Sequence, residues 1–597
     1  MSQVLAALWL LGLYAAAPAL RQSTQYDFPD RLRDALILGV AIPLALGAVG
    51  MLYPAACFGA LLLAIAIADI RRREPRFAKQ TLPPDPPYIL IAALLLVGWP
   101  QLMRPLLDGD SLSYHLPNAA SWVQAHSIWT SATRYWWYPP ASELFAAALY
   151  AAGGPFALPY SGLCALALLG FRCATWAREF GASPLLADAL AAAIVTAYPL
   201  AIQGGTLQND VWLAAFWLET LWALRPGGGG AAAARSAALT ALIKPQGWLF
   251  TLIALLAGRA RFRVWRAAAA ALCAWVLRDA LLAKGAAISP PAAASFAHPY
   301  ASTILAHGAA ALWLLVIVAA RLSPFALLAI CAAAAGPLIA RDRRSLGWAA
   351  LAAVVVFSAL PFGYETAVAQ LATGASLRFA APAIVLGALL LTPGLRRAAI
   401  ASTVVLLCST VFGAWYVLAI FWNDGSTHVA LLAAALGAAV AAATRAPSLR
   451  GLRPLAVGLA VIFTIHYAGR HPIDYYDDAL RVGDTRPGVY RWIASTHPAR
   501  IGGDGLRLGV VNVLSPSTQT RDLPDDRPCA YARRARVLLV AVAQNDLTPS
   551  ANSQRLGAAH ACGHVVYADP IGVVATPPKE PLRFSSSFRA ARLSTAP

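Results

Sequence analysis

Two carboxylates, a tyrosine and a histidine stand close together in residues 108–117, which read Asp-Gly-Asp-Ser-Leu-Ser-Tyr-His-Leu-Pro. This segment follows the apolar run 88–100, which has about the length of a bilayer span. Asp108 and Asp110 are therefore predicted to lie at the mouth of a membrane helix. A carboxylate is costly to desolvate there and marks a candidate functional site. In a dry environment its pKa rises, and it can take a proton from a hydroxyl group.

A simpler interpretation covers one of these two residues. Aspartate is a favoured residue at helix N-termini, so Asp110 could cap a helix that begins at Ser111. A single cap accounts for only one of the two aspartates. We therefore predict that Asp108 or Asp110 is catalytic. No metal site is predicted. Binding of a divalent cation stays an alternative, because the carboxylate oxygens of this pair are ligands that such cations prefer.

The aromatic stretch that follows the carboxylates offers candidate substrate contacts. Tyr114 and His115 belong to the first segment, and Tyr138 and Glu143 follow in Arg-Tyr-Trp-Trp-Tyr-Pro-Pro and the next helix. Aromatic faces stack on sugars and on lipids, whereas an aromatic belt at the membrane surface is the plainer alternative. Asp210, in Gln-Asn-Asp, is predicted either to cap a helix or to bind a sugar.

Four cations lie in or beside apolar segments near the same predicted face: Lys244, Arg278, Lys284 and Arg378. The side chain of Lys284 can snorkel to headgroups. Arg278 adjoins Asp279 and can be paired with it. Cations that face carboxylates indicate a site that binds an anion on one side and activates a proton donor on the other. A lipid-linked phosphate suits that anion.

The composition indicates a polytopic helical membrane protein. The chain has 597 residues, of which 59% are hydrophobic and only 13% charged, whereas soluble domains carry about 25% charged residues. The formal net charge of +19 is attributed to basic loops on the cytoplasmic side. No run combines stacking aromatics with a basic groove, so a nucleic-acid partner is not expected.

The arginine and lysine clusters set the predicted topology. The clusters comprise Arg71, Arg72, Arg73, Arg76 and Lys79; Arg259, Arg261, Arg263 and Arg266; Arg396 and Arg397; and Arg445, Arg450 and Arg453. Arg172 and Arg178 are expected to return the chain to the cytoplasm after a helix predicted at 156–176. The loops at 104–140 and 201–210, Arg378 and everything after Arg470 then face outside. Roughly sixteen spans are predicted. Residues 303–320 break the alternation of sides, and we expect them to be partly interfacial.

Three regions are predicted. Residues 1–86 hold extra transmembrane helices and a basic cytoplasmic loop, and residues 87–470 form a transmembrane core. Residues 471–597 form a small extracytoplasmic α/β domain with a flexible tail from Ser585, because short apolar runs alternate there with turn residues. Cys529 and Cys562, alone in that domain and on the oxidising side, are predicted to form a disulfide. A metal site at His560, Cys562 and His564 is the alternative.

Four motifs together resemble those of GT-C fold glycosyltransferases, the membrane enzymes related to protein O-mannosyltransferases and to the aminoarabinose transferase of lipid A. Asp-x-Asp-x-x-x-Tyr-His resembles their first external loop, and Tyr-Pro-Pro with Glu143 is similar to a Tyr/Phe-Pro-x-x-x-Glu segment. Trp-Val-Leu-Arg278-Asp279 resembles Trp-x-x-Arg-Asn, and Arg378-Phe379 with Pro382 resembles Arg-Tyr-x-x-Pro. The likeness spans about residues 88–470.

This resemblance implies a fold and an activity. The fold is an all-α, GT-C-like multi-helix bundle with a small C-terminal extracytoplasmic domain. The activity is transfer of a sugar from a polyprenyl-phosphate donor to a hydroxyl of a glycan, lipid or protein acceptor, with inversion, at a bacterial-type inner membrane. Asp108 or Asp110 would be the base, and Arg378, Arg278 or Lys244 would hold the phosphate. Asp279 and Phe379 depart from the family pattern, as does the absence of Gly-Asn-Pro after Lys284.

Other functions use similar residues. A transporter or flippase of lipid-linked sugars also carries intramembrane charges, but it tends to show internal repeats with paired broken helices, and we find no such repeat. An O-antigen ligase or polymerase-type enzyme shares the class of substrate but not the fold. A non-catalytic membrane scaffold would leave the paired aspartates unexplained.

Overall fold

The computed structural model of the protein describes residues 2–20, 27–72, 87–102, 105–286, 304–360, 375–421, 488–504, 508–523, 528–543 and 549–577. Several sequence predictions lie outside these residues: the clusters at Arg73–Lys79 and Arg445–Arg453 and the tail from Ser585. The chain divides into two compact units. The first comprises Met1–Ser131 and Tyr135–Pro472, and the second comprises Ala132–Arg134 and Ile473–Pro597.

The regular elements in the described residues of the first unit are all helical. Its helices are α1 (Ser2–Ala16), α2 (Phe28–Ala48), α3 (Pro54–Arg72), α4 (Tyr88–Leu102), α5 (Leu116–Gln124), α6 (Ala141–Gly153), α7 (Tyr160–Glu179), α8 (Pro184–Thr196), α9 (Tyr198–Ala201), α10 (Asp210–Leu224), α11 (Gly230–Ala241), α12 (Gly247–Ala257), α13 (Phe262–Ala283), α14 (Ile304–Leu322), α15 (Pro324–Ala334), α16 (Gly336–Ile339), α17 (Arg344–Ala359), α18 (Ala381–Leu390), α19 (Thr392–Arg397) and α20 (Ala399–Phe421).

Local sequence explains where several of these helices begin. Asp27 accepts a hydrogen bond from the Asp30 amide at the start of α2, and Ser183 and Ser323 cap α8 and α15 in the same way. Each of these caps is followed within two residues by a proline, which suits the first helical turn because its missing N–H would have no partner there. The Ser323 cap separates the two apolar runs around 303–340 into the helices α14 and α15.

Five helical segments are long and apolar enough to cross a membrane: Gln3–Leu20, Pro54–Arg71, Pro155–Glu179, Ser376–Arg397 and Ala399–Val417. Six shorter apolar helices accompany them within the described residues. These segments agree with a polytopic helical membrane protein. The predicted number of spans and the orientation stay predictions.

Glycine permits close helix packing at two places. A methyl group on Gly387 of α18 would collide with the Ala329 carbonyl oxygen of α15. A methyl group on Gly162 of α7 would collide with the Gln203 carbonyl oxygen in the segment before α10. Small residues at such crossings let helix backbones approach closely in membrane proteins. The contact at Gly162 also fixes the segment that leads to Asp210.

The second unit contains a mixed five-stranded sheet with the order β2-β1-β3-β5-β4. The strands are β1 (Arg500–Asp504), β2 (Gln519–Asp522), β3 (Leu538–Val542), β4 (His564–Asp569) and β5 (Gly572–Thr576). The helices are α21 (Gly488–Thr496), α22 (Leu508–Leu514), α23 (Pro528–Ala535) and α24 (Pro549–His560). Strand β1 pairs in parallel with β2 and β3, whereas β5 is antiparallel to β3 and β4. This is the small C-terminal sheet that the sequence predicts.

A disulfide joins Cys529 of α23 to Cys562, which lies between α24 and β4. Their Cα atoms are 5.5 Å apart, and the bond lies beside the buried side chains of Leu539 and Val573. Cys562 is therefore engaged in a covalent bond and does not join His560 and His564 as a ligand. Whether the bond forms in the cell stays a prediction that mass spectrometry of non-reduced peptides would check.

Candidate functional site

The predicted carboxylate segment begins at the end of α4 and is fixed by its own hydrogen bonds. Asp108 Oδ1 accepts from the backbone amide of Ser111 at 2.8 Å, and helical residues begin at Gly109. Residues Ser111–His115 then form one π-helical turn that leads into α5. Asp108 is thus the N-cap of this helix. The interpretation of Asp110 as the cap is wrong, because its side chain makes no capping bond.

A second segment, 202–209, lies against the first and delivers Asp210. The Leu207 amide donates to Ser111 Oγ at 2.8 Å, and Gln208 Nε2 approaches Asp108 Oδ1 at 3.4 Å. Gln101 Oε1, near the end of α4, accepts from the Gly205 amide at 2.7 Å. Asp210 is the first residue of α10 and Asn209 is its N-cap, so Asp210 is not itself a cap. A carboxylate in the first turn of a helix is favourable, however.

Two cations meet these carboxylates. Arg378, in the 3-10 turn Ala375–Ala380, forms an ion pair with Asp110, and its Nε lies 3.6 Å from Asp210 Oδ2. Lys244, which follows α11, forms an ion pair with the other oxygen of Asp210. We name Asp110, Asp210, Lys244 and Arg378 the loop-end cluster. The site thereby joins Asp110 to Lys244 and Arg378, which lie 134 and 268 positions further along the chain. Of its members, the Asp110 side chain is the most exposed, at 34% against 17% for Arg378.

Phe379 belongs to this site although sequence analysis assigned it no role. Its ring centre lies 4.8 Å from Lys244 Nζ and 4.9 Å from the Arg378 guanidinium carbon. An aromatic face attracts nearby cations and limits their side-chain motion. The sequence signal was weak, because Phe379 stands where the resembled pattern has tyrosine.

Asp108 differs from Asp110 in its surroundings. Its Oδ2 atom is buried and has no hydrogen-bond partner among the described residues. Burial raises the pKa of Asp108 above that of an exposed aspartate, and the nearby Asp110 adds to the rise, while hydrogen bonds from Ser111 act in the opposite direction. This carboxyl group therefore tends to hold a proton at a pH where an exposed one has lost it.

The predicted aromatic residues gather beside the cluster. The ring centres of Tyr114 and Tyr138 are 5.5 Å apart, and that of Tyr135 lies 4.9 Å from Tyr114. Burial raises the pKa of both Tyr114 and Tyr138, and the charge of Asp110 adds to the effect. Both phenols therefore keep their protons at neutral pH and can donate hydrogen bonds to sugar hydroxyls or phosphate oxygens.

His115 and Glu143 form a separate buried pair. His115 Nδ1 lies 2.6 Å from Glu143 Oε1, and Ser142 Oγ donates to Glu143 Oε2 at 2.8 Å. A carboxylate at Nδ1 fixes the orientation of the imidazole ring. The other ring nitrogen, Nε2, is buried and has no partner in the described part of the chain. These two predicted residues contact each other rather than Arg378 or Lys244.

Arg278 is not part of the loop-end cluster. Its guanidinium donates to the carbonyl oxygens of Ile128, Thr130 and Trp136 and to Asp279 Oδ1. These five bonds have lengths between 2.6 and 3.2 Å and use all five N–H groups of the side chain. The predicted role of Arg278 in anion binding would need a free N–H group, and none is left. Arg278 instead anchors the loop that carries the aromatic residues.

Sequence analysis also missed a second set of charges, at the other end of the helices. Arg172 of α7 is completely buried and pairs with Glu219 of α10 at 2.6 Å and with Asp30 of α2 at 2.6 Å. We name this set the buried network: Asp30, Arg33, Asp34, Arg172 and Glu219. Arg172 is therefore a buried ion-pair partner inside α7, a role that the sequence did not predict. The cytoplasmic side expected for this end of the helix stays a prediction. Glu219 was the available signal, since it is an acidic residue inside an apolar helix.

Among the described residues, no group of three or more histidine, cysteine, aspartate or glutamate side chains is placed to hold a metal ion. Comparison with known proteins found no match: no protein-family model, curated protein or solved structure is detectably similar to this chain.

Proposed function

We propose that the protein is a membrane glycosyltransferase of the GT-C type, which moves a sugar from a polyprenyl-phosphate donor to an acceptor hydroxyl with inversion. The observation that supports this proposal most directly is that Arg378 forms ion pairs with both Asp110 and Asp210. A carboxylate that reacts with a hydroxyl and a cation that binds phosphate lie in direct contact. The motif resemblance in residues 88–470 supports the same activity.

The ion pair between Arg378 and Asp110 suggests how donor binding prepares the base. In the resting state, the Asp110 carboxylate is held by Arg378 and does not reach the acceptor hydroxyl. A donor phosphodiester carries one negative charge and competes with Asp110 for Arg378. Once the phosphate binds Arg378, with Lys244 beside it, the Asp110 carboxylate is released toward the acceptor. Binding of the charged donor therefore activates the base.

The reaction then follows as a single displacement. Asp110 takes the proton of the acceptor hydroxyl, the acceptor oxygen forms a bond to the anomeric carbon, and the bond from that carbon to the phosphate oxygen breaks. The leaving polyprenyl phosphate gains negative charge, which Arg378 and Lys244 stabilise. Tyr114 and Tyr138 donate hydrogen bonds to the sugar. Attack from one side of the carbon inverts its configuration.

Two substitutions separate the base from the phosphate ligand. Asp110→Asn should lower transfer by about 10²–10⁴-fold but keep or increase donor affinity, because it removes the carboxylate that competes for Arg378. Arg378→Ala should lower both donor affinity and rate, since the phosphate is charged in the ground state and in the transition state. Donor binding is measured by native mass spectrometry with a panel of polyprenyl-phosphate sugars. Transfer is measured as release of polyprenyl phosphate when a membrane extract supplies acceptors.

Matched controls lie away from the site. Lys284→Ala removes an exposed cation near the end of α13, and Asp342→Asn removes an exposed carboxylate before α17. Both should retain transfer. Asp108→Asn is measured in parallel, because the motif leaves either aspartate as the base. Near-normal transfer by both Asp108→Asn and Asp110→Asn would overturn the proposed function.

A further inference from the structure

A cavity of about 940 Å³ opens at the end of the first unit that lies away from the loop-end cluster. Helix α10 connects the two places: it begins with Asp210, and Leu221 and Leu224 in its last turn line the cavity. Fourteen residues of α-helix separate these ends by about 21 Å. This second site is therefore distinct from the proposed glycosyltransferase site.

Arginines dominate the polar part of the cavity lining. We name it the arginine cavity after Arg225, Arg259, Arg343 and Arg344. Glu179 and Asp342 also line it, which leaves a surplus of two positive charges from four arginines and two carboxylates. Arg225 pairs with Glu179 at 3.3 Å. In the described part of the chain, Arg259, Arg343 and Arg344 form no ion pair.

The backbone adds to this positive potential. Helix α17 begins at Arg344, and its first turn includes Ser345 and Leu346, which also line the cavity. Arg343 stands at the N-cap and gives no side-chain acceptor to the first amides. The open N–H groups and the positive end of the helix dipole favour an anion at this position. The Arg343 guanidinium stacks on Phe180 at 3.7 Å, which holds it at the cavity wall.

The remaining wall is apolar. Trp176, Leu221, Leu224 and Leu346 line the cavity together with the arginines. One turn further along α17, Trp348 is 59% exposed, as aromatic residues at a membrane interface commonly are. A ligand with a phosphate beside an apolar chain satisfies both kinds of wall. Basic pockets between membrane helices bind anionic headgroups in this way.

We propose that the arginine cavity binds the phosphate group of an anionic membrane lipid. The headgroup phosphate contacts Arg343, Arg344 and the first turn of α17, and the acyl chain lies along the leucine side of the cavity. A soluble phosphate compound shares the same polar chemistry, so the experiment compares both sources.

Native mass spectrometry of the full chain in neutral detergent measures binding of short-chain phosphatidic acid, short-chain phosphatidylcholine and inorganic phosphate. An Arg378→Ala background removes a phosphate ligand of the other site. We expect one molecule of phosphatidic acid to stay bound to each protein chain. Its affinity should be at least about tenfold higher than that of either of the other two ligands. The double variant Arg343→Ala/Arg344→Ala should weaken that binding at least about tenfold. Arg263→Ala removes an exposed arginine of α13 that does not line the cavity, and it should change nothing.

A second variant guards against loss of folding in the double variant. Ser345→Glu places a carboxylate in the first turn of α17, where it is compatible with the helix but repels an anion in the cavity. It should keep the thermal stability of the background protein and still weaken phosphatidic acid binding at least about tenfold. Normal binding by Ser345→Glu, or equal weakening by Arg263→Ala, would overturn the proposal. Inorganic phosphate that binds as tightly as phosphatidic acid would exclude the lipid as the preferred ligand.

Discussion

The loop-end cluster and the buried network include different residues of helix α10, Asp210 at its start and Glu219 nine residues further along, and they differ in how completely their charges are satisfied. In the buried network, both oxygens of Glu219 accept from Arg172, and both side chains are completely buried. In the loop-end cluster, Asp110 is 34% exposed, and the neighbouring Asp108 Oδ2 and His115 Nε2 have no partner among the described residues.

This difference separates a structural ion network from a binding site. The Arg172–Glu219 pair at the centre of the buried network leaves no donor or acceptor for a ligand, so its charges serve to join α7 and α10. An open cluster can exchange one of its partners for a ligand, as we propose for Asp110 and the donor phosphate. Among the described residues, the members of the buried network form five ion pairs with one another, and those of the loop-end cluster form three. The central pair of the network is fully buried, whereas the Arg378–Asp110 pair is partly exposed.

The largest expected effect is a loss of folding stability, and it tests whether the buried network holds the helices together. Arg172→Ala leaves the Glu219 carboxylate completely buried without its closest partner, which should lower the free energy of unfolding by about 3–5 kcal/mol. Arg378→Ala, at the partly exposed cluster, should lower it by about 1 kcal/mol or less. Denaturant titration of both variants in detergent gives the two values.

A charge-balanced control accompanies this measurement. Arg172→Met with Glu219→Leu removes both main partners of the buried pair and should recover most of the stability lost in Arg172→Ala. Equal losses in Arg172→Ala and Arg378→Ala would show that the two clusters do not differ in the way described here.

A smaller effect is expected at Arg278, which shares its residue type with Arg378 but not its surroundings. Arg278→Lys keeps the charge but cannot reproduce five bonds in a fixed planar geometry. It should lower the free energy of unfolding by about 2–3 kcal/mol and make the loop at 128–136 more sensitive to limited proteolysis. The folded fraction should retain normal donor affinity, in contrast to Arg378→Ala. Loss of donor affinity with unchanged stability would instead place Arg278 in the phosphate site.

The smallest expected effect concerns Asp108 and pH. Because burial raises its pKa in the folded protein, ionisation of Asp108 lowers stability as the pH rises above the ordinary aspartate value of 3.8 and through the raised pKa. Asp108→Asn removes this effect, so at neutral pH the variant should melt a few degrees higher than the wild type. The difference should vanish below about pH 3, where both folded and unfolded Asp108 are protonated. Melting curves across that range check it, and a constant difference at every pH would contradict it.

The sequence by itself determined the class of the protein and most members of the candidate site. Helix length, apolar runs and proline positions are local properties, so the helical membrane character and the small C-terminal sheet could be predicted from them. The arginine and lysine bias predicts the side on which each loop lies, and that prediction places Asp110, Asp210, Lys244 and Arg378 on one face.

Only the tertiary structure decided which of these residues pair. Asp110 and Arg378 are separated by 268 positions, and no local pattern specifies a contact at that range. The folded chain makes Asp108 rather than Asp110 the helix cap and fills the donors of Arg278 with carbonyl oxygens. It also buries Arg172 against Glu219, a pairing that no local pattern specifies. The physical reason is common to all three: the role of a charge depends on its exposure and on its partners, and both are set by how distant helices pack.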